Sequence, residues 1–226
     1  MEGMTVMGSR LLSAALFACI LTISDADRGA WAGEPPLGSP SQVSTHRVVG
    51  VAANDVLNIR AEPTAASRIV GSFQPGAIPV EVIERRGGWG RVISGEGTGW
   101  VSMRYLGEAG IPTIGSSRTN VATVCVGTEP FWDLTFEANG QVRFSDAATG
   151  QKMSFAISEA GGVSGRPNKD YFWLEGSGTD ATLTITRAFC TDGMSDRLYG
   201  REAAFVFRNG DGAYGLEGCC FVPGPR

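Results

Sequence analysis

Between positions 46 and 106 the apolar residues come in short runs, at 47–51, 56–60, 68–73, 78–84, 89–93 and 99–101. Turn-forming stretches such as Gln74-Pro75-Gly76, Arg86-Gly87-Gly88 and Gly95-Glu96-Gly97 separate them. Ile78, Val80 and Val82 alternate with Pro79 and Glu81, the two-residue period of a strand with one buried face. Six short strands in so small a segment predict a small barrel. From 121 onward the pattern repeats on a larger scale. Trp132, Leu134 and Phe136 alternate with Asp133 and Thr135, and further strands are expected at 141–144, 152–157, 171–174, 181–186, 203–207 and 214–221. Seven or eight antiparallel strands predict a second barrel or a strongly curved sandwich. No long segment has helical period, so the expected fold class is all-β.

Two stretches break the pattern. Residues 33–45 (GEPPLGSPSQVST) and 108–120 (EAGIPTIGSSRTN) have the Pro, Gly and Ser content of linkers. They divide the chain into a first β domain at 46–107 and a second at 121–224. Ahead of them, a 13-residue apolar run from Leu11 to Ile23 and an Ala30-Trp31-Ala32 site read as a secretory signal over residues 1–32, cleaved after Ala32. The run falls short of the roughly 20 residues of a spanning helix, so the mature chain is expected to have no transmembrane segment. Lipidation at Cys19 fits less well, because Phe17 is bulky for a lipoprotein box and apolar residues continue past the cysteine. The expected location is the periplasm or the extracellular space.

Charge adds little and excludes one class. The signal segment carries two arginines and three acids, so the net −4 of the whole chain becomes −3 without it. Residues 46–106 hold seven basic and five acidic side chains, and residues 121–226 hold nine and thirteen. Neither half has the basic stripe of a nucleic-acid-binding surface. With Cys19 set aside, Cys125, Cys190, Cys219 and Cys220 remain, an even set expected to form two disulfides in an oxidising compartment. Spacing alone leaves all three pairings open. No C-x-x-C spacing occurs and the single histidine, His46, lies far upstream, so neither a metal nor a cofactor is expected.

Four blocks of the first domain, LNIRAEP at 57–63, IVGSFQPGAIPVEV at 69–82, GWGRV at 88–92 and TGWVSMRYL at 98–106, resemble the bacterial SH3-like (SH3b) module. The resemblance implies a binding module without catalysis, of the kind that accompanies envelope proteins and binds peptidoglycan peptides. Ala61-Glu62 departs from the Ser-Gly often found there and places an acid in the ligand-facing loop. In the second domain CVGTEPFW at 125–132, CTDGMSDRLY at 190–199 and LEGCC at 216–220 resemble an uncharacterised family of bacterial envelope and lipoprotein domains, with GTEPFW, CxDGMSDRxY and GCC as its motifs. That resemblance implies the pairs Cys190 with Cys219 and Cys125 with Cys220.

The candidate ligand residues follow from the SH3b resemblance. Its groove is expected between the 61–67 loop and the 85–90 turn, with Trp89 as a stacking surface beside Tyr105. Arg91 and Arg104 pair there with carboxylates of a wall peptide, and Glu62 with an amine. The alternative leaves the arginines solvated and Trp89 half packed. Trp100, Phe73 and Leu106 are expected in the core, and Phe131 and Trp132 on opposite faces of a strand.

The densest polar stretch is the 190–199 block. Asp192 and Asp196 do not fit a calcium loop, and Ser195 and Asp196 have no histidine in their own domain for a triad. Paired carboxylates for glycoside cleavage are as common as acids on any acidic surface. The favoured reading is a disulfide-pinned turn in which aspartates accept backbone N–H groups and Arg197 pairs with Glu129, the alternative being a partner-recognition loop. The function expected is that of an exported, non-enzymatic envelope protein whose SH3-like module binds peptidoglycan or a protein. The alternative is an inhibitor or regulator of a wall-degrading enzyme such as lysozyme.

Overall fold

The computed structural model describes residues 1, 35–176, 178–209 and 212–225. The signal segment and Cys19 lie outside the described residues. The chain is all-β, with no α-helix among the described residues.

The first module has two antiparallel sheets. One is β4 (Val80–Val82), β1 (Ser44–Val48) and β8 (Leu106–Glu108) in that order. The other is β3 (Ile69–Phe73), β2 (Leu57–Arg60), β7 (Gly97–Ser102), β6 (Trp89–Ser94) and β5 (Glu84–Arg86). A single 3₁₀ turn, Met103–Tyr105, leads from β7 into β8. Inward residues from both sheets, among them Val48, Leu57, Ile59, Val82 and Val101, form one apolar cluster. Trp100 is buried, while Phe73 and Leu106 pack half-buried against that cluster. The charged β5 and the short β8 fall where the sequence shows no apolar alternation.

The second module is a closed barrel of eight antiparallel strands: β9 (Val124–Thr128), β10 (Phe131–Phe136), β11 (Gln141–Asp146), β12 (Lys152–Gly162), β13 (Lys169–Gly176), β14 (Asp180–Thr186), β15 (Arg201–Asn209) and β16 (Gly212–Phe221). Each strand pairs with the next in sequence, and β16 closes onto β9. Closure leaves no unpaired edge. The interior is filled by rings: Phe144 lies 5.3 Å from Phe205 and 5.5 Å from Phe207, and Phe136 lies 5.0 Å from Phe172, centroid to centroid. Trp132 is 4 % exposed and Phe131 51 %, as strand alternation demands. The Trp132 indole lies over Gly127 and Gly218, where any Cβ would come within 3 Å of the ring.

Disulfides fasten the seam. Cys125 and Cys220 face each other across the β9–β16 pair, Cα atoms 3.9 Å apart, and are bonded. Cys219 points outward and is bonded to Cys190, which ties the 190–200 loop to the last strand.

Residues 35–45 and 108–120, the described parts of the two stretches read as linkers, are tied to the barrel. In the first, Gly38 N–H donates to Phe189 O at 2.8 Å, Pro40 bridges to Ala188, and Ser41 Oγ donates to Gly200 O. In the second, Ser117, Thr119 and Asn120 are buried. Thr119 Oγ1 and Arg118 N–H both donate to the buried Asp170 carboxylate, at 2.9 and 3.0 Å. Their small polar residues are those whose groups find partners inside, which composition alone does not reveal. His46, at the expected start of the first domain, is part of β1.

The two modules meet across a buried junction. Ile83, Phe189 and Leu198 form their own apolar cluster. Beside it the Glu81 and Arg201 side chains form an ion pair out of water, and Val222 N–H donates to the same carboxylate oxygen at 3.2 Å. Gly200 sits where a Cβ would meet Val43 at 2.2 Å and Ile83 at 3.1 Å, so only glycine permits this approach.

Replacing Cys125 and Cys220 by alanine is expected to cost about 2–5 kcal/mol of stability, measured by urea unfolding without reductant. Peptide mapping that finds free thiols at either position in oxidised protein contradicts the pairing.

Candidate functional site

The clearest concavity of the first module has a volume of about 570 Å³ and is lined by Val51, Asp55, Arg60, Trp89, Arg104 and Tyr105, among others. Its size is that of a small-ligand site. Local structure explains each wall. Gly50 adopts φ +67° and turns the chain beside the Tyr105 ring, which sets the 50–56 segment along one side. The 3₁₀ turn brings Arg104 and Tyr105 to the other side, with the guanidinium 5.6 Å from the ring centroid. Trp89, half-buried at the start of β6, pairs with Ser102 and closes the floor. Arg60 is steadied by its bond to Ser67 O at 2.7 Å. The groove thus offers two aromatic faces, one carboxylate and two guanidiniums.

Of the five expected ligand residues, Trp89, Arg104 and Tyr105 line this groove and two do not. Glu62 is exposed on the 61–67 loop, whose Ala65 alone reaches the wall, and its backbone N–H is held by Ser67 Oγ at 2.9 Å. Arg91 is 8 % exposed and satisfied within the sheet. It lies between Glu84 and Trp100 in a cross-strand row, its guanidinium 3.5 Å from the Glu84 carboxylate and 5.6 Å from the Trp100 centroid, with Nε donating to Thr98 Oγ1 at 3.0 Å. A side chain with an acid on one neighbouring strand and an indole on the other turns to them rather than to a ligand. The groove is walled by the 50–56 segment rather than by the 85–90 turn beyond Trp89. Asp55, Val51 and Arg60 are the residues that sequence reasoning missed, and the one signal for them was the glycine before Val51.

The 190–200 loop is built around Asp192. Oδ1 accepts from Met194 N–H at 3.0 Å and Ser195 N–H at 2.8 Å, and Oδ2 from Ser195 Oγ at 2.8 Å and Tyr199 OH at 2.9 Å. Gly193 at φ +71° permits the turn. Thr128 Oγ1 donates to Asp192 O at 2.7 Å, and Cys190 and Tyr199 exchange backbone bonds. Arg197 does not pair with Glu129. Its Nε donates to Gly95 O and its Nη2 to Glu96, each at 2.8 Å, so it reaches the β6–β7 turn of the first module. Asp196 is exposed, its Cβ close to Gly97 of the same turn. Ser195 is engaged inside the turn, its Oγ donating to Asp192 and accepting from Arg197 N–H at 3.3 Å.

Glu129 is exposed and lies on the rim of a second concavity, of about 520 Å³, on the outer face of the barrel. Thr128, Asp192, Glu202, Glu217 and Lys169 also line it, and with the Asp192 carboxylate taken up inside its own turn three glutamates and one lysine remain. Among the described residues no group of three or more metal-ligating side chains is gathered.

Residues 55–107 match the bacterial SH3 domain family. No curated protein and no solved structure matches the chain. The match takes in Asp55, Arg60, Trp89, Arg104 and Tyr105 of the groove, while Gly50, Val51, Ala52 and the whole barrel lie outside it.

Asp192 provides a pH test. Burial works to raise its pKa, but the N–H groups of Ser195 and Met194 and the hydroxyls of Ser195 and Tyr199 outweigh it, and the carboxyl is held below its ordinary 3.8. A folded pKa below the unfolded one contributes stability that is present above the unfolded value and lost as pH falls through the folded value. Asp146, held low by the Thr149 and Ala148 N–H groups, contributes in the same direction. Asp192→Asn is therefore expected to flatten part of the acid limb of stability against pH, measured by thermal unfolding from pH 6 to 2. An acid limb identical to wild type would show that the turn's charge contributes nothing.

Proposed function

We propose that this is an exported, non-catalytic envelope protein whose SH3-like groove binds the peptide part of peptidoglycan. The observation that carries the reading is the groove itself. Trp89 and Tyr105 supply flat apolar contact, Arg60 and Arg104 suit carboxylates, and Asp55 suits an amine. Wall peptides carry both kinds of charge on a short chain. The bacterial SH3 match over residues 55–107 supports a binding role for this surface. A protein partner offering the same groups would use the same groove.

Export is supported by the short apolar run and Ala-x-Ala site at the N-terminus and by two disulfides, which persist in oxidising compartments. No helix among the described residues is long and apolar enough to cross a membrane. The non-catalytic reading is supported by the state of the usual catalytic groups. His46, the single histidine of the chain, is 7 % exposed, with one ring nitrogen against Gly107 O and the other against Ser44 and Arg85. Cys125, Cys190, Cys219 and Cys220 are all bonded in pairs. The three barrel blocks that resemble envelope and lipoprotein domains agree with this location.

A second reading concerns the barrel. Its outer concavity gathers Glu129, Asp192, Glu202 and Glu217, which favours a basic partner such as a lysozyme-like enzyme. In that reading the protein protects the wall as a regulator.

Trp89→Ala is expected to weaken retention by purified peptidoglycan by about 1–3 kcal/mol, the loss that follows removal of a central aromatic anchor. Undiminished retention of the folded variant contradicts the groove reading. The regulatory reading is tested by lysozyme turbidity assays: the protein should slow lysis, and Glu202→Gln with Glu217→Gln should abolish the effect. Lysis at the unprotected rate with the wild-type protein removes that reading.

A further inference from the structure

A different cavity, of about 350 Å³, lies where the first module, the 108–120 segment and the barrel come together. Its walls bring Arg85, Arg118, Arg187 and Arg201 together with His46, and the one acid among the lining residues is Glu108. Of these four guanidiniums, two have a carboxylate partner and two do not, among the described residues. Arg201 is neutralised by Glu81. Arg118 is 3.9 Å from the Asp170 carboxylate, whose other oxygen is already taken by Arg118 N–H and Thr119. Arg85 and Arg187 have no carboxylate at ion-pair distance among the described residues. Arg187 donates to Pro167 O at 2.8 Å, and Arg85 to Ser44 Oγ at 3.1 Å.

His46 orients one of these free cations. Its Nδ1 is 3.2 Å from Gly107 O, so that nitrogen carries the proton and donates. Nε2 is then an acceptor, and it lies 3.2 Å from the Arg85 guanidinium. Burial and the Arg85 charge both push the His46 pKa below 6.5, against the Gly107 bond and Glu108, so the ring stays neutral in this role. Arg187 is pushed down from its ordinary value by burial, and further by Arg118 and Arg201, with Asp170 opposing. Positive charge along these walls is thus held at a disadvantage, and an anion bound there would reverse the sign of that interaction.

We propose that this cavity is a binding site for a small oxyanion, a carboxylate or phosphate group, held by Arg85 and Arg187 with Arg118 at the rim. Guanidinium forks match both groups in bidentate geometry, and partial burial strengthens such bonds over their value in water. Because Arg85 comes from the first module and Arg187 from the barrel, the ligand ties the two together. The site is separate from the peptide groove and shares none of its lining residues.

Isothermal titration of the full chain with inorganic phosphate, and separately with succinate, at constant ionic strength in chloride, tests the proposal. Saturable one-site binding of either anion is expected, the stronger of the two naming the group the site takes. Arg85→Gln, at an exposed position, and Arg187→Gln should each weaken it by about tenfold or more, with the thermal midpoint of each variant checked against wild type. Glu108→Gln should tighten it by removing the one opposing acid, a gain that a merely structural role would not give. No saturable binding of either anion, or binding unchanged in Arg85→Gln and Glu108→Gln, overturns the proposal.

Discussion

Glu81 and Arg201 meet with almost no water around them, one from β4 of the SH3-like module and one from the first position of β15 of the barrel. Such a pair gives little net stability against an apolar substitute, but removal of one partner strands a charge and costs about 3–5 kcal/mol. Its effect is therefore on arrangement: surfaces that separate must re-expose both charges, and surfaces that slide must part them. Ile83, Phe189 and Leu198 add apolar area beside the pair, and Gly200 lets the backbones come close enough for it to form. The segment 36–42 is held between the modules by Ser41 on Gly200 and Gln42 N–H on Ile83 O.

The 190–200 loop belongs to the same device. Cys190–Cys219 fixes one end to the barrel, Asp192 organises the turn, and Arg197 takes Gly95 and Glu96 at the tip of the β6–β7 hairpin. Arg197–Glu96 is a surface pair and contributes little by itself. Its place is set by the buried junction rather than the reverse. What this leaves free is the face of the SH3-like module made by the 50–56 segment, Trp89 and the 3₁₀ turn, which carries the proposed ligand groove. The groove residues and the junction residues do not overlap, so ligand and barrel do not compete for the module.

The barrel strands were legible where they alternate, as in Phe131 out, Trp132 in, Asp133 out, Leu134 in, whereas β12, bulged between Ile157 and Glu159, and β16, where Cys219 and Cys220 are both buried, break the period. The inward phenylalanines Phe136, Phe144, Phe155, Phe172, Phe205 and Phe207 announce an interior to be filled. The parts that were not legible depend on register or on distant partners. Trp89 and Arg91 have equal claim to a ligand face by period, and only the pairing of Arg91 with Glu84 and Trp100 separates them. Glu129 is the acid expected for Arg197 within the same domain, whereas the observed Glu96 is 101 residues away. Thr119 and Asn120 read as linker because nothing local signals that Asp170 lies inside to receive the Thr119 hydroxyl and the adjacent backbone. Strand β5, Glu84–Arg86, is all charge and became a strand through its pairing with β6.

A buried ion pair and its apolar surround join the SH3-like module and the barrel into one cooperative structure. Differential scanning calorimetry of the oxidised full chain tests it most directly. One transition is expected from residues 35–226, with calorimetric and van't Hoff enthalpies equal, and Glu81→Gln should lower its midpoint or split it in two. Two resolved transitions in the wild-type protein, with the module melting independently of the barrel, would contradict the account.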